Sequence, residues 1–360
     1  MTDSHGAAPT LGPLTIEELQ LAARNRGMPL EALRYDLTPT GLHYLLIHFD
    51  IPEVDVSAWR LHVHGAVANE LALTMTDIRA LSRHNLVVTL ECAGNGRARL
   101  SPRPLSQPWL VEAIGTAEWG GARLRDVIER AGLSGAALEL VFRGADRGIQ
   151  GDEEQDYARS LSVDDAVRDE VLLAYEMNGA PLEPQHGFPL RLIVPGWYGM
   201  TSVKWLSSIE AVSTPFDGFQ QAVAYRLQSD ASDPGAPVSR IRVRALMIPP
   251  GIPDFFSRQR FVLPGPTALR GRAWSGEGAV TRVEAGIDGV WSDARLEAPV
   301  GPYAWRGWSF DWAAEPGIHE LSCRATDSAG NTQPVEQSWN YQGMANNMTQ
   351  LVTVLVRETT

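Results

Sequence analysis

One cysteine of this sequence lies where its side chain can take part in chemistry. Cys92 follows the apolar, β-branched run Leu86–Leu90, which predicts a buried strand, and precedes the segment Ala93–Gly96, whose glycines permit a tight turn. A thiol at the junction of a strand and a turn is held rigidly from one side and can be reached from the other. This position suits a nucleophile or a metal ligand.

The residues alone leave three roles open for Cys92. A lone thiol is most often a buried apolar side chain. A hydrolytic nucleophile would need a histidine base nearby, and a single thiolate ligand would need a metal whose other ligands come from a cofactor. A zinc site made by the protein alone is disfavoured, because the one other cysteine is Cys323 and no C-x-x-C pair occurs.

Two long segments resemble the sulfite oxidase family of molybdenum enzymes. TLECAGNGR around Cys92 is similar to the family's cysteine motif, and Leu172–Leu206, LLAYEMNGAPLEPQHGFPLRLIVPGWYGMTSVKWL, is similar to its cofactor-binding block. The resemblance implies an oxidoreductase with one molybdenum–molybdopterin per chain. It also implies that the Cys92 thiolate binds molybdenum directly, while a dithiolene of molybdopterin supplies two further sulfur ligands.

The resemblance marks a set of residues around the cofactor. These cofactor-binding positions are Tyr44, His48, Asp146, His186, Arg191, Ser202, Val203 and Lys204. Guanidinium and ammonium donors suit a phosphate in a partly desolvated pocket, and backbone amides near Gly196–Thr201 can line the same anion. Each basic residue, taken singly, has a surface ion pair or a cap as an alternative role.

The resemblance places Arg97, Trp109 and Tyr225 beside Cys92 at the substrate. Arg97 would supply positive charge to an anionic substrate, and the phenol of Tyr225 would donate a hydrogen bond or pass a proton. Packing is the alternative role for Trp109 and Tyr225. The implied reaction is oxidation of sulfite, a small oxyanion, to sulfate by oxygen-atom transfer.

Three positions depart from the family pattern. The family carries arginine where this sequence has Leu46, Thr201 and Gln342. Each hydrogen bond to a charged group contributes about 1.5–3 kcal/mol. The sequence therefore also predicts weak binding of sulfite, or a different or less charged substrate.

Two other functions stay open. In the first, the enzyme acts on another sulfur or nitrogen oxo-species, because the GLH segment at Gly41 resembles sulfane-sulfur dehydrogenase relatives. The other, from a different class, is a cofactor-free binding protein built on an immunoglobulin-like module. No haem-attachment C-x-x-C-H motif occurs, so we expect no haem, and a separate electron acceptor of the cytochrome type.

Composition limits the partners. The net charge of -12 disfavours nucleic acid and anionic membranes, and no apolar run has the length of a membrane span. Met1–Pro13 lacks the basic start and apolar core of a secretory signal, and Arg24 and Arg26 are separated by Asn25. We therefore expect a cytoplasmic protein, or a periplasmic one if a signal was removed, with a mobile Met1–Pro13.

The length of 360 residues predicts two domains, and the sequence pattern with the resemblance predicts an α+β fold. The resemblance implies a mixed α/β molybdopterin-binding catalytic domain over residues 1–230. It implies an immunoglobulin-like β-sandwich over residues 231–360, which serves dimerisation, so we expect a homodimer. The polar, turn-rich segment Gln228–Val238 is the predicted linker.

Local patterns predict several elements. Thr15 and Glu18 form a capping box at the start of a helix over Thr15–Arg26. A glycine turn at Trp119 leads into a helix that ends at Gly132, and the acidic segment Asp152–Asp156 is a solvated loop. Alternation predicts five strands after the linker, namely Ser239–Met247, Thr267–Trp274, Val280–Ile287, Trp305–Trp312 and Ile318–Asp327.

Overall fold

The computed structural model describes residues 13–358. The mobility expected of Met1–Pro13 therefore concerns residues outside the described ones, apart from Pro13. Helix α1 confirms the capping box, because the Thr15 hydroxyl accepts from the Glu18 N–H and the Glu18 carboxylate accepts from the Thr15 N–H. The α-helices of the described residues are α1 Ile16–Arg24, α2 Met75–Arg79, α3 Leu124–Ala131, α4 Val163–Ala166 and α5 Phe219–Ala222.

The first half of the chain is built mainly from strands. These are β1 Leu61–Gly65, β2 Leu71–Leu73, β3 Arg83–Glu91, β4 Ile114–Arg123, β5 Glu139–Gln150, β6 Glu153–Ser162, β7 Leu172–Met177, β8 Ala180–Pro181, β9 Arg191–Ile193, β10 Leu206–Val212, β11 Arg226–Leu227 and β12 Ala236–Pro237. One sheet has the order β2-β1-β10-β5-β6, and a second has the order β3-β4-β7-β8 with β9 also paired to β7. Strands β1 and β10 are parallel, and the other pairs of these two sheets are antiparallel.

Strand β3 delivers the cysteine turn, as its apolar run predicts. It becomes fully buried from Val88 onwards and ends at Glu91. The Cys92 N–H then donates to the carbonyl of Ala113, 2.9 Å away and one residue before β4. Gly96 has φ of 91°, in the left-handed region that favours glycine, and allows the turn to close.

Two local predictions were wrong. Trp119–Gly121 lies inside β4 and not in a turn, because β3 and β7 pair with β4 from both sides. A Cβ at Gly121 would lie 2.2 Å from the carbonyl oxygen of Leu173, so this glycine serves close packing between strands. Asp152–Asp156 is not a loop, because β6 begins at Glu153 and pairs with β5, although most of its first residues are exposed as expected.

The second half contains the strands β13 Arg244–Met247, β14 Ile252–Pro253, β15 Arg260–Val262, β16 Gly265–Trp274, β17 Val280–Ile287, β18 Val290–Asp293, β19 Arg295–Leu296, β20 Arg306–Ala314, β21 Gly317–Asp327 and β22 Gln350–Val356. They form two sheets, with the orders β13-β16-β20-β19 and β14-β15-β22-β21-β17-β18. Inward side chains of both sheets share one apolar core, which includes Cys323. All five predicted strands are present, but β13 begins only at Arg244. The immunoglobulin-like topology and the boundary at residue 230 stay predictions.

The two halves are joined by buried hydrogen bonds as well as by the chain. Arg272 of β16 donates to the carbonyl of Leu33, and the indole of Trp305 donates to the carbonyl of Asp36. The predicted linker is partly ordered, because β12 pairs with β11. Across residues 13–358, no helix has the length and apolarity needed to cross a membrane.

Candidate active site

Two cavities meet at Cys92, whose side chain is buried. The inner cavity contains about 690 Å³ of space and the outer cavity about 1650 Å³, in each case counting the part open to solvent. Cys92, Leu46, His48 and Tyr225 line both cavities. The thiol is therefore not enclosed in hydrocarbon, and it stands where a group in one cavity can meet a group in the other.

The inner cavity brings together every residue that the sequence marked for cofactor binding. Its walls include Tyr44, His48, Asp146, His186, Arg191, Ser202, Val203 and Lys204. These residues come from three separate segments of the chain, namely the stretch before β1, strand β5, and the region from β8 to β10. Their convergence on Cys92 is a result of the fold.

Two basic side chains of the inner cavity are held by carbonyl groups. Arg191 donates to the carbonyls of His186 and Ser202 at 2.9 and 3.2 Å, and Lys204 donates to the carbonyl of Leu46 at 2.7 Å. Burial lowers the pKa of Arg191 to about 10 and the pKa of Lys204 to about 7. Within residues 13–358 neither side chain makes an ion pair, so both can face an anion in the cavity.

Lys204 is also unusual in the sequence, because it is the only lysine of the chain. All other basic side chains that stay charged at any ordinary pH are arginines. A lysine is a compact point charge whose pKa responds strongly to burial. Its ammonium group lies 4.3 Å from the centre of the Trp205 ring.

Two histidines pack edge to face in the wall of the inner cavity. The rings of His43 and His186 have their centres 5.8 Å apart. Burial lowers the pKa of His43 to about 4 and that of His186 to about 3, so both rings are neutral near pH 7. The sequence did not mark His43 for the cofactor site, although His43 is the histidine of the GLH segment.

Asp146 is a buried carboxylate in the wall of the inner cavity. Burial raises its pKa to about 6, against the attraction of Lys204. Asp146 Oδ1 and Arg191 Nε have no hydrogen-bond partner among the described residues. Buried polar atoms are nearly always paired in proteins, so these two atoms indicate a polar group that the inner cavity is built to hold.

Three other predicted residues shape the inner cavity in different ways. The Ser202 hydroxyl accepts from the Val194 N–H at 3.1 Å and so fixes the backbone of its own turn. His48 Nε2 lies 2.7 Å from Gln150 Oε1. Tyr44 stacks on His43, with ring centres 5.1 Å apart, and burial raises its pKa.

Arg97 is a buried cation in the outer cavity. It donates to the carbonyls of Gln342 and Gln107 at 2.9 and 3.2 Å and contacts the sulfur of Met344. A Cβ at Gly94 would lie 2.6 Å from its Nη1, so the glycine of the turn makes room for the guanidinium. No carboxylate of residues 13–358 forms an ion pair with Arg97, which leaves its charge uncompensated.

Trp109 and Tyr225 complete the walls around the thiol. Trp109 packs against Cys92 and Ala113 in a small apolar cluster. Tyr225 has a positive φ of 56°, a strained conformation for a large residue, and the guanidinium of Arg159 lies over its ring at 5.6 Å. Burial raises the pKa of Tyr225 to about 12, so its phenol stays protonated and can donate.

Comparison with known proteins agrees with this geometry. Residues 48–220 match the "Oxidoreductase molybdopterin binding domain" family, and residues 240–356 match the "Mo-co oxidoreductase dimerisation domain" family. Sulfite oxidase of Gallus gallus is 36% identical over 338 residues, which cover 86% of this chain and 71% of that protein. The chain belongs to the sulfite oxidase family.

The proteins that resemble this chain carry different names and are longer than the matched region. Mitochondrial sulfite oxidase of Homo sapiens is 34% identical over 347 residues, and nitrate reductase [NAD(P)H] of Hordeum vulgare is 34% identical over 342 residues. The alignments cover 89% and 86% of this chain, but only 62% and 38% of those proteins. The chain thus spans about three fifths of the human enzyme, and 60% of the mouse enzyme.

A solved structure supports the fold. The sulfane dehydrogenase SoxCD of Paracoccus pantotrophus superposes with a TM-score of 0.79 at 24% sequence identity, covering 99% of this chain and 95% of that chain. The sulfite oxidase family makes the chain a molybdopterin-dependent oxidoreductase. The match to a dimerisation domain fits a homodimer.

The inner cavity fits the cofactor of the sulfite oxidase family. Arg191 and Lys204 offer basic side chains, and polar atoms of Arg191 and Asp146 lack hydrogen-bond partners within the described chain. Among the same residues, no three His, Cys, Asp or Glu side chains cluster as a metal site of their own. A single thiolate with further ligands from a cofactor is therefore the arrangement that these residues can provide.

The three positions where arginine was expected lie in different surroundings. Leu46 and Gln342 line the outer cavity, so cations are missing from its wall at both places. Thr201 is fully buried and lines neither cavity, although its neighbours Met200 and Ser202 line the inner one. Two of the three positions therefore lie at the outer cavity.

Sequence reasoning missed the support behind the cysteine turn. Glu91 accepts from Asn95 at 2.9 Å, from Arg244 at 2.7 Å and from the Trp274 indole at 2.8 Å. A carboxylate next to Cys92 was visible in the motif. Its partners Arg244 and Trp274 were not, because they lie more than 150 residues away in the sequence.

Proposed function

We propose that this member of the sulfite oxidase family oxidises a sulfur oxyanion, with sulfite as the parent substrate, and passes the electrons to a separate acceptor of the cytochrome type. The observation that carries the proposal is the position of Cys92, whose thiol stands between an inner cavity lined by buried basic and polar side chains and an outer cavity that contains a buried cation with no ion-pair partner in residues 13–358. Residues from distant segments meet there, as a two-part site requires.

The inner cavity would hold molybdopterin. Arg191, Lys204 and the His186 segment would bind its phosphate, and Cys92 would bind the metal. When bound, the molybdenum cofactor supplies oxygen-atom transfer and takes up two electrons. Many of the residues around this cavity are buried, and burial lowers the local dielectric and strengthens each charge-assisted contact.

The outer cavity would bind the substrate beside Cys92. Arg97 attracts and orients an anion, because its charge has no carboxylate partner within residues 13–358 and it is held in place by the Gln107 and Gln342 carbonyls. Tyr225 keeps its proton at neutral pH, because burial raises its pKa to about 12. It can therefore donate a hydrogen bond to an oxygen of the substrate without competing as a base.

Metal analysis and turnover test the proposal together. The chain is produced in a molybdenum-replete host, molybdenum is measured per chain, and sulfite-dependent reduction of ferricyanide is followed. We expect about one molybdenum per chain and sulfite-dependent reduction. A folded protein without molybdenum would contradict the cofactor assignment, and a molybdenum-loaded protein that oxidises no sulfur oxyanion would contradict the substrate assignment.

We further propose a homodimer built on the second half of the chain. The match of residues 240–356 to a dimerisation domain supports it. Sedimentation equilibrium of the full chain gives the mass directly. We expect twice the mass of one chain at micromolar concentration, and a mass of 39.4 kDa would contradict the proposal.

A further inference from the structure

The outer cavity is larger, less charged and more apolar than sulfite requires. We infer that it accepts organic sulfinates, R–SO₂⁻, in preference to sulfite. The inference rests on the proposed function and specifies the substrate of the same site. It combines two independent features of the walls, namely their charge and a ring of exposed apolar side chains at the mouth.

The charge of the outer cavity matches one negative charge. Arg97 is the one lining arginine without a carboxylate partner in the described chain, because Arg103 pairs with Glu18 at 2.8 Å. His48 is neutral, since burial lowers its pKa, and no lining residue among those described is Asp or Glu. One cation compensates one charge, and a second charge in a partly buried site would be costly.

Sulfite and sulfinates differ in the charge that they bring to this wall. Near neutral pH sulfite is a mixture of the singly and doubly charged forms, whereas a sulfinate carries one charge. Both keep a lone pair on sulfur and two oxygens that a guanidinium can bind. Leu46 and Gln342 add no cation, so the cavity favours the sulfinate group.

The mouth of the outer cavity offers an apolar surface to the substituent R. Five large apolar or aromatic side chains are exposed there, between 39% and 74%, and they are Leu105, Ile149, Val223, Trp339 and Tyr341. Scattered exposed apolar residues are ordinary, but several on one rim indicate a binding surface. An alkyl or aryl group that covers this rim would remove apolar area from water and strengthen binding.

The reaction balances without breaking a carbon–sulfur bond. The sulfinate and water give the sulfonate, R–SO₃⁻, with two protons and two electrons released. One new sulfur–oxygen bond forms at the lone pair of sulfur, and sulfur is oxidised by two electrons. The electrons reduce a separate one-electron acceptor, for which ferricyanide serves in the assay.

The first experiment compares three substrates on the molybdenum-loaded full chain. We expect kcat/KM to rise from sulfite to methanesulfinate to benzenesulfinate, with benzenesulfinate at least about tenfold above sulfite. A higher or equal kcat/KM for sulfite would overturn the inference and leave the proposed function standing. Loss of all three reactions in a loaded protein would contradict the proposed function itself.

A binding titration, which needs no turnover, tests the preference for organic sulfinates even if the loaded protein oxidises none of the three compounds. Benzenesulfonate and sulfate, which are not oxidised, are titrated against the full chain by calorimetry. We expect tighter binding of benzenesulfonate by at least about tenfold. Equal binding, or tighter binding of sulfate, would overturn the inference whatever the turnover results.

Three variants test which residues determine the preference for sulfinates over sulfite. Tyr341→Ala should lower the ratio of kcat/KM for benzenesulfinate to that for sulfite by about fivefold to tenfold, since it removes part of the rim. Leu46→Arg should lower the same ratio by adding a cation. The matched control is Phe256→Ala, an exposed aromatic outside both cavities, which should leave the ratio unchanged.

A protein acceptor is the competing occupant of the rim. In that case Tyr341→Ala would change the KM for a protein acceptor such as a cytochrome and leave the ratio of the two substrates unchanged. This result would overturn the inference. A changed ratio with ferricyanide, which needs no docking surface, supports it.

Discussion

The carboxylate of Glu91 lies 2.7 Å from the guanidinium of Arg244, and both side chains are almost completely buried. Glu91 ends the strand that delivers Cys92, whereas Arg244 begins β13 in the second half of the chain. The Trp274 indole and the Asn95 amide donate to the same carboxylate. The second half therefore helps to fix the turn that presents the thiol.

Removal of Arg244 should destabilise the protein strongly. Arg244→Met leaves the Glu91 carboxylate buried without its cation, and the loss of one partner of a buried pair costs about 3–5 kcal/mol in the free energy of unfolding. Urea denaturation of the two proteins measures this loss in the free energy of unfolding. The control is Arg295→Met, whose pair with Asp311 is 71% exposed on both sides, and which should change the same free energy by less than about 1 kcal/mol. Similar losses for the two variants would refute the role of the buried pair.

Replacement of Cys92 should remove the metal and leave the fold. Cys92→Ser supplies a hydroxyl that stays protonated at neutral pH and is a poor ligand, so we expect molybdenum below about a tenth per chain and no measurable turnover. Circular dichroism checks that the variant is folded. Cys323→Ala is the matched control, because Cys323 is buried in the core of the second half, and it should retain about one molybdenum per chain. Full turnover by Cys92→Ser would exclude the thiolate as ligand.

Arg97 should matter for the affinity of an anionic substrate. Arg97→Met removes a charge that contributes about 1.5–3 kcal/mol to a charge-assisted contact, which corresponds to an increase in KM of about tenfold to a hundredfold. Steady-state kinetics with sulfite and with benzenesulfinate measure it. Arg147→Met is the control, since Arg147 lies on the surface with 63% of its side chain exposed. An unchanged KM for both anions would place Arg97 outside the binding site.

Lys204 should titrate near neutral pH in the folded apoprotein. Burial lowers its pKa from 10.5 to about 7. Because it is the only lysine, a chain labelled with ¹³C-lysine gives one ε-carbon resonance whose midpoint reports this pKa directly. A bound phosphate would raise the pKa of Lys204, so the midpoint should move upwards in the cofactor-loaded protein. A midpoint near 10.5 in the folded apoprotein would contradict the buried position.

The same shift makes the stability of the apoprotein depend on pH. Between about pH 7 and 10.5 the unfolded chain binds a proton that the folded chain has lost, so the free energy of unfolding rises with pH. The slope from this group approaches about 1.4 kcal/mol per pH unit. Lys204→Met should be more stable than the native chain below pH 7, and the difference should shrink towards pH 10.5. A difference that does not vary with pH would contradict this linkage.

Local sequence signals were sufficient for several parts of the protein. The apolar run before Cys92 and the glycines after it predicted a strand and a turn, and the structure has both. Thr15 and Glu18 likewise predicted a capped helix, and the structure has it. Interactions within a few residues decide these features, so a short window of sequence contains the information.

Trp119–Gly121 and the acidic segment Asp152–Asp156 show where local signals fail. Asp152–Asp156 has the composition of a loop, yet β6 begins within it because β5 supplies a ladder of hydrogen bonds. Trp119–Gly121 has the glycines of a turn, yet it lies between two strands that leave no room for side chains at Gly121. In both cases a distant strand overrides the local preference.

The sequence by itself determined the cysteine motif, the family resemblance and the residue types available for the site. Only the tertiary structure decided that Thr201 lines neither cavity while Leu46 and Gln342 line the outer one. It alone paired Glu91 with Arg244 across the two halves. The physical reason is that burial and charge compensation depend on side chains brought together from distant segments, which no short stretch of sequence specifies.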